Sequence, residues 1–300
     1  MAENLSDIFV STEPVLLTSG WGRAEGPLWH PQGYVTFVDL EGNRLLRWEP
    51  NGSVTVVREN TGEGNGCTLD RQGRLIMCEG ADHRRVTRMD ADGKVRVIAE
   101  RWQVKRFNKP NDVVCRSDGS IYFTDPGLRV PKERREIPFS GVFRIDPAGT
   151  VHLATDECEY PNGLAFSPDE SILYVAISRL DERCFGEAER GEVCIHRRIR
   201  AFDVAADGSL CNNRIFCDMS SAAPGVPDGM KVDTMGRVFC VGSGGIWVIA
   251  PSGEVIGILQ TSEVVRNLAF GGPDFRTLYL TPRGALAKLE VRTAGIGAFK

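Results

Sequence analysis

The sequence predicts an all-β protein, a six-bladed β-propeller with four antiparallel strands per blade, on three observations. First, one phrase recurs six times: a carboxylate or carboxamide beside Gly or Pro, an apolar alternation, then a tight turn. Glu25 leads to Gly33, Asn65 to Gly73, Asn111 to Gly119 and Asp228 to Gly236 at one spacing. Asn162 keeps that spacing but ends at Glu170, and Asn267 opens a looser copy with its turn around Gly271-Gly272-Pro273-Asp274. Second, every copy is built from short β-runs punctuated by turns that end on Gly, while helical periodicity is nowhere sustained. Third, 33 glycines in a chain that is 42% hydrophobic and 25% charged suit many turns and short strands. Four-stranded units repeated at this period are the mark of a propeller.

In chain order, residues 9–20 read as one strand that completes the last blade and closes the ring, leaving few free edges. The first copy runs through Leu28-Trp29, the turn His30-Pro31-Gln32-Gly33, Tyr34 to Asp39, Leu45 to Trp48, the turn at Gly52, and Val54 to Val57. The later copies repeat it through turns at Gly93, Gly149, Gly208 and Gly253. One domain over 1–300 follows, with blades at roughly 21–60, 61–104, 105–157, 158–222, 223–262 and 263–300. Copies three and four carry extra residues between their second and third β-runs, at 127–140 and 178–192, and long loops in a terse repeat point to function.

Composition narrows the function classes. A formal charge of −4 argues against nucleic acid as a partner. No apolar run approaches the ~20 residues of a membrane span, so no membrane partner is expected. The N-terminal residues lack the basic and apolar regions of a signal peptide. Nine cysteines with no CxxC pair, several of them inside strand patterns (Cys67, Cys78, Cys115, Cys240), suit free thiols in a reducing, cytoplasmic compartment. The group Cys184, Cys194, Cys211 and Cys217 has no spacing that demands pairing.

The first strand of a propeller blade lines the central channel. If the six openers share one phase, Glu25, Asn65, Asn111, Asn162, Asp228 and Asn267 form a ring of side-chain oxygens at one mouth. At a common distance after the first three openers stand Asp39, Glu79 and Asp125, which the same reasoning brings back to that mouth. Such a cluster of carboxylates calls for a cation. Oxygen-only ligands of mixed charge suit Ca²⁺ best, with Mg²⁺, Mn²⁺ or carboxylate-bound Zn²⁺ as alternatives. A His-rich zinc site is not expected, because His30, His83, His152 and His196 are scattered. Any single Asn-Gly or Asp-Gly pair is more often an ordinary turn former. It is the constant phase, with Glu and Asp replacing Asn in two of six copies, that favours a site.

These residues resemble the gluconolactonase/senescence marker protein (regucalcin) family of six-bladed propellers. The resemblance spans about Ser19 to Leu289. It rests on Glu25-Gly26-Pro27-Leu28-Trp29, Asn108-Lys109-Pro110-Asn111-Asp112, Tyr122-Phe123-Thr124-Asp125-Pro126, Pro161-Asn162-Gly163-Leu164, Pro227-Asp228-Gly229-Met230 and Asn267-Leu268-Ala269-Phe270-Gly271-Gly272. It implies one divalent cation on Glu25, Asn162 and Asp228, with Asn111 at the metal or the substrate and Asp228 as general base. The chain departs from the pattern at Lys109-Pro110, where some members carry Arg before the Asn, and at Gly80, where bacterial members often have His.

The expected function is metal-dependent opening of a sugar (aldono-) lactone. The cation polarises the carbonyl and Asp228 activates water, with Asp125 as second candidate base. Asn111 and Asn65 hold sugar hydroxyls, and Lys109, Glu79 and Asn267 complete the substrate-facing set. Arg129, Lys132, Arg134, Arg135, Arg179 and Arg183 on the two long loops are candidates to contact an acidic or heavily hydroxylated substrate. Two alternatives stand: a phosphotriesterase or other esterase on the same metal site, and a non-catalytic calcium-binding scaffold.

Overall fold

Alternation along each strand decides the architecture. In Tyr34–Asp39, Val35 and Phe37 pack with Tyr279 and Leu286, whereas Val38 packs with Cys67, Leu69 and Met77. A strand that is apolar on both faces must be sandwiched between two other sheets. The computed structural model, which describes residues 3–80, 83–127, 130–178 and 197–297, resolves this into six four-stranded antiparallel sheets. Six buried apolar clusters separate them, one between each neighbouring pair of blades.

The inner strands are Ala24–His30, Gly64–Leu69, Val113–Cys115, Pro161–Phe166, Met230–Val232 and Val265–Gly271. Each pairs outward with the next strand in sequence through short hairpins. The sixth sheet is completed from the other end of the chain, since Val15–Ser19 pairs with Ala285–Glu290. Closure therefore stands as expected, but the strand is shorter than residues 9–20. Leu5–Ile8 is a single helical turn capped by Asn4, Phe9 makes one bridge to Val291, and Pro14, which has no N–H to donate, precedes the strand.

The repeated turn is as regular as the opener. Gly33, Gly73, Gly119 and Gly236 all have φ between 76° and 93°, and Glu170 (58°) and Phe275 (57°) occupy the same left-handed position in the other two blades. The sixth copy thus keeps the spacing of the rest, and its looseness is one of residue type. Glu170 is held there because its carboxylate accepts from the Ser117 amide and hydroxyl of the preceding blade.

Among the described residues two features interrupt the repeat. A short hairpin, Arg101–Trp102 with Lys105–Arg106, links the second and third blades. The loop after Asp125 holds a 3₁₀ turn at Lys132–Arg134 and buries Ile137 in the adjoining cluster. Arg135 in this loop donates to the Val130 carbonyl (2.6 Å). Arg129, Arg179, Arg183, Cys184, Cys194 and His196 lie outside the described residues. The seven described cysteines are free thiols, five of them buried. Among the described residues no helix is long and apolar enough to cross a membrane.

Candidate active site

The openers meet one another around the axis, blade by blade. Gly26, directly after Glu25, has φ 49°, and a Cβ there would lie 2.1 Å from the Asn65 carbonyl oxygen. The Gly66 amide donates to the Asn111 carbonyl at 2.8 Å. Between the third and fourth blades, Thr124 Oγ1 donates to the Asn162 carbonyl (2.7 Å). A Cβ on Gly163 would stand 2.2 Å from the Asp228 carbonyl oxygen, and the Gly229 amide donates to Arg266 (3.0 Å). Trp29 stacked on Tyr279 (5.7 Å) joins the sixth blade to the first. Glycine after the opener is what allows these backbones to approach so closely.

Side chains extend the ring. Asn65 Nδ2 donates to Asn111 Oδ1 (2.5 Å), and Asn111 Nδ2 donates to Asn162 Oδ1 (3.1 Å). Three carboxamides on three blades are thereby oriented in one direction, from Asn65 to Asn162. Glu25, Asn111, Asn162 and Asn267 are buried, while Asn65 and Asp228 are half-buried. Asn267 is turned inward: its Oδ1 accepts from the Leu268 amide, and its Nδ2 lies 3.5 Å from Asp112 Oδ2 on the facing blade.

The second expected set of carboxylates does not reach this mouth. Asp39 pairs in register with Ala24, and Glu79 with Gly64, so each stands opposite the residue before the opener. Neighbouring positions on a strand point to opposite faces, and one residue of offset therefore turns these side chains away. Asp39 accepts from the Gly22 and Gly42 amides and from Arg44. Glu79 is fully buried, with one oxygen on Arg58 and Thr87 and the other on Arg85 and His83. Glu79, expected to face substrate, is engaged by four side chains of its own and the neighbouring blade. Burial alone would raise its pKa, but hydrogen bonds and the charge of Arg58, with Arg85 and Thr87, hold it below the usual carboxylate range.

Asp125 is likewise fully enclosed. Its oxygens accept from the Asn108 (2.7 Å) and Lys109 (2.6 Å) amides. Arg84 holds the same loop from the other side through the Phe107 and Asn108 carbonyls. Burial pushes the Asp125 carboxyl up to about 7, although both amides favour its charged form. With both oxygens bound to its own backbone, Asp125 shapes the loop that presents Lys109 and Asn111. Lys109 lays its stem across Gly80, where a Cβ would meet the Lys109 side chain at 2.8 Å, and its ammonium rests on Glu63 (2.5 Å). Glu63, Thr124 and Asp112 were not among the expected residues. Only Asp112 had a signal in the sequence: it is ionisable at the position where four of the six copies have Gly.

The donor set suits a hard cation only if carboxamides are included. Among the described residues no three His, Cys, Asp or Glu side chains cluster as metal ligands. Glu25, Asn162 and Asp228 offer two carboxylates and one carboxamide oxygen, and the Asn111 N–H fixes which end of Asn162 is its oxygen. The residues therefore fit a divalent ion held by oxygen.

Residues 23–283 match the family described as SMP-30/Gluconolactonase/LRE-like region. A gluconolactonase of Zymomonas mobilis is 28% identical over 309 residues, covering 95% of this chain and 83% of that protein. A solved structure of a gluconolactonase from Xanthomonas campestris superposes with a TM-score of 0.82 at 32% identity, over 97% of this chain and 93% of that one. A calcium-binding protein, regucalcin, from Agrobacterium tumefaciens shares the fold (TM-score 0.73) at 18% identity, over 97% and 95% of the two chains.

Proposed function

Because this chain belongs to the SMP-30/gluconolactonase/LRE-like family, we propose that it hydrolyses a sugar (aldono-) lactone at the opener end of its channel. The observation that carries the reading is the directed series Asn65–Asn111–Asn162, lying on the blades between Glu25 and Asp228. Carboxamides so oriented present both donors and acceptors, which is what a polyhydroxylated ring requires.

Glu25, Asn162 and Asp228 would hold one divalent cation, Ca²⁺ by the hardness of the donors. When bound, it supplies Lewis-acid polarisation of the lactone carbonyl. Asp228 takes a proton from the attacking water as the new C–O bond forms. The bond from the acyl carbon to the ring oxygen then breaks, the proton passes from Asp228 to that oxygen, and the open-chain acid gives its carboxyl proton to solvent and leaves as the carboxylate. Asn65 and Asn111 hold sugar hydroxyls, and Lys109, positioned by Glu63, faces the same substrate. Asp125 acts on the reaction through the loop it holds. The loops at 127–140 and 178–192 start from second strands that end beside the openers, and their basic residues are the candidates for contacts outside the ring.

The test is lactone opening by metal-stripped protein with Ca²⁺, Mg²⁺, Mn²⁺ and Zn²⁺ restored in turn, beside aryl esters and organophosphates. Turnover of an aldonolactone should return with one of the cations. Asp228→Asn should lower kcat by about 10²- to 10⁴-fold with little change in melting temperature. Full activity without metal, or faster turnover of a phosphotriester, would overturn the assignment.

A further inference from the structure

The inner strands reach the axis twice. Register shifts fall between Glu25 and Leu28, Gly64 and Cys67, Pro161 and Leu164, and Val265 and Leu268. Such an extra residue resets the alternation, so that the opener and the residue three further on can both face inward. Those later positions are Leu28, Thr68, Val114, Ala165, Lys231 and Phe270. All six line one cavity of about 230 Å³ on the opposite side from the openers. Asp112 and Asn267, meeting across the axis, stand between the two halves.

Five members of this second ring are uncharged and one is a cation. Lys231 Nζ donates only to the Met230 carbonyl (2.9 Å), and among the described residues it has no ion pair within 4 Å. Lys231 is half-buried, its stem beside apolar side chains, and its ammonium gains from a counter-charge that joins it there. The nearby acids are otherwise engaged, Glu170 in the lining and Asp112 behind it. Asp112 accepts from the Val113 amide and lies against Asn267. Glu170, at the rim, holds Ser117.

We propose that this half of the channel is a second ligand site, for a small amphipathic carboxylic acid. Its carboxylate pairs with Lys231, and its chain lies along Leu28, Val114, Ala165 and Phe270. An apolar cavity of about 150 Å³ is enough for benzene, so this one admits an acid of the size of hexanoate.

Titration calorimetry of the full chain with hexanoate, hexan-1-ol and hexylamine tests the assignment. Hexanoate should bind and raise the melting temperature, hexan-1-ol should bind more weakly, and hexylamine should not bind. Lys231→Met should weaken hexanoate at least about tenfold and leave hexan-1-ol unchanged. Val114→Phe, which enlarges a half-buried side chain of the ring, should abolish both while lactone turnover without ligand stays the same. The site is refuted if wild-type protein does not bind hexanoate, if Val114→Phe binds it as wild type does, or if hexanoate competes with the lactone. Should Lys231→Met not fold, the discrimination between hexanoate and hexylamine and the Val114→Phe result decide the matter.

Discussion

Asp125 and Glu79 are both carboxylates sealed inside the protein, yet their surroundings move them in opposite directions. Glu79 sits among cations and a hydroxyl, and the stability it contributes is present above its unfolded pKa and is lost as pH falls through its depressed folded value. Asp125 has two amide donors and only the more distant charge of Arg84 among the described residues, so burial prevails and its folded pKa rises to about 7. Between about pH 4, its unfolded value, and pH 7 the native state binds a proton that the unfolded chain does not. Its contribution therefore lowers stability as pH rises, by at most about 1.4 kcal/mol per pH unit. Urea unfolding across that window should show this slope, and Asp125→Asn should flatten it. An unchanged slope in the variant would assign the titration to another group. The amide places a donor against one of the two N–H groups, so the variant should also raise KM through the displaced loop.

At the scale of elements, the inner strands are set by close backbone approach. Gly163 has the Asp228 carbonyl where a Cβ would go, whereas Gly149, in an outer turn with φ 89°, has nothing within 4 Å. Gly163→Ala must push the fourth and fifth blades apart at the residues proposed to hold the cation. It should cost about 1–3 kcal/mol and lower kcat/KM together with stability. Gly149→Ala meets only the left-handed backbone penalty, about 1 kcal/mol, and should leave kcat/KM unchanged. Equal activity losses in the two variants would mean that the glycine column has no special bearing on the site. The same scale explains Glu79 and Asp39. Their distance from the openers is as regular as that of the turns, but regularity specifies a position along a strand and not the face it presents, and the observed register places both on the far face.

For the whole molecule, the ring is closed by pairing Val15–Ser19 with Ala285–Glu290 and by seating Ile8 and Phe9 among the apolar side chains of the last two blades. Without the outermost strand, the largely buried Ala285–Glu290 would become the exposed edge of a three-stranded sixth blade. Deleting residues 1–20 should therefore lower the melting temperature and produce soluble aggregates detectable by light scattering. A monodisperse product melting at the wild-type temperature would contradict this account of closure.

Much was legible in the sequence because the repeat is covalent information. Six openers at constant phase, six left-handed turn positions and alternation on every strand fix the number of blades, the strand order and the equivalent place of the six openers on their inner strands. Glu79 and Asp125 were placed at that end on spacing alone, and the cations and amides that claim them come from neighbouring strands and loops distant in sequence. Asp112 and Asn267 meet across the axis from positions 155 residues apart, a contact that no local pattern encodes. Strand periodicity is a property of the chain, and so the sequence by itself determined the blades. Which oxygens stay at the mouth and which are consumed holding loops depends on register and on partners from other blades, and only the closed tertiary structure decided that.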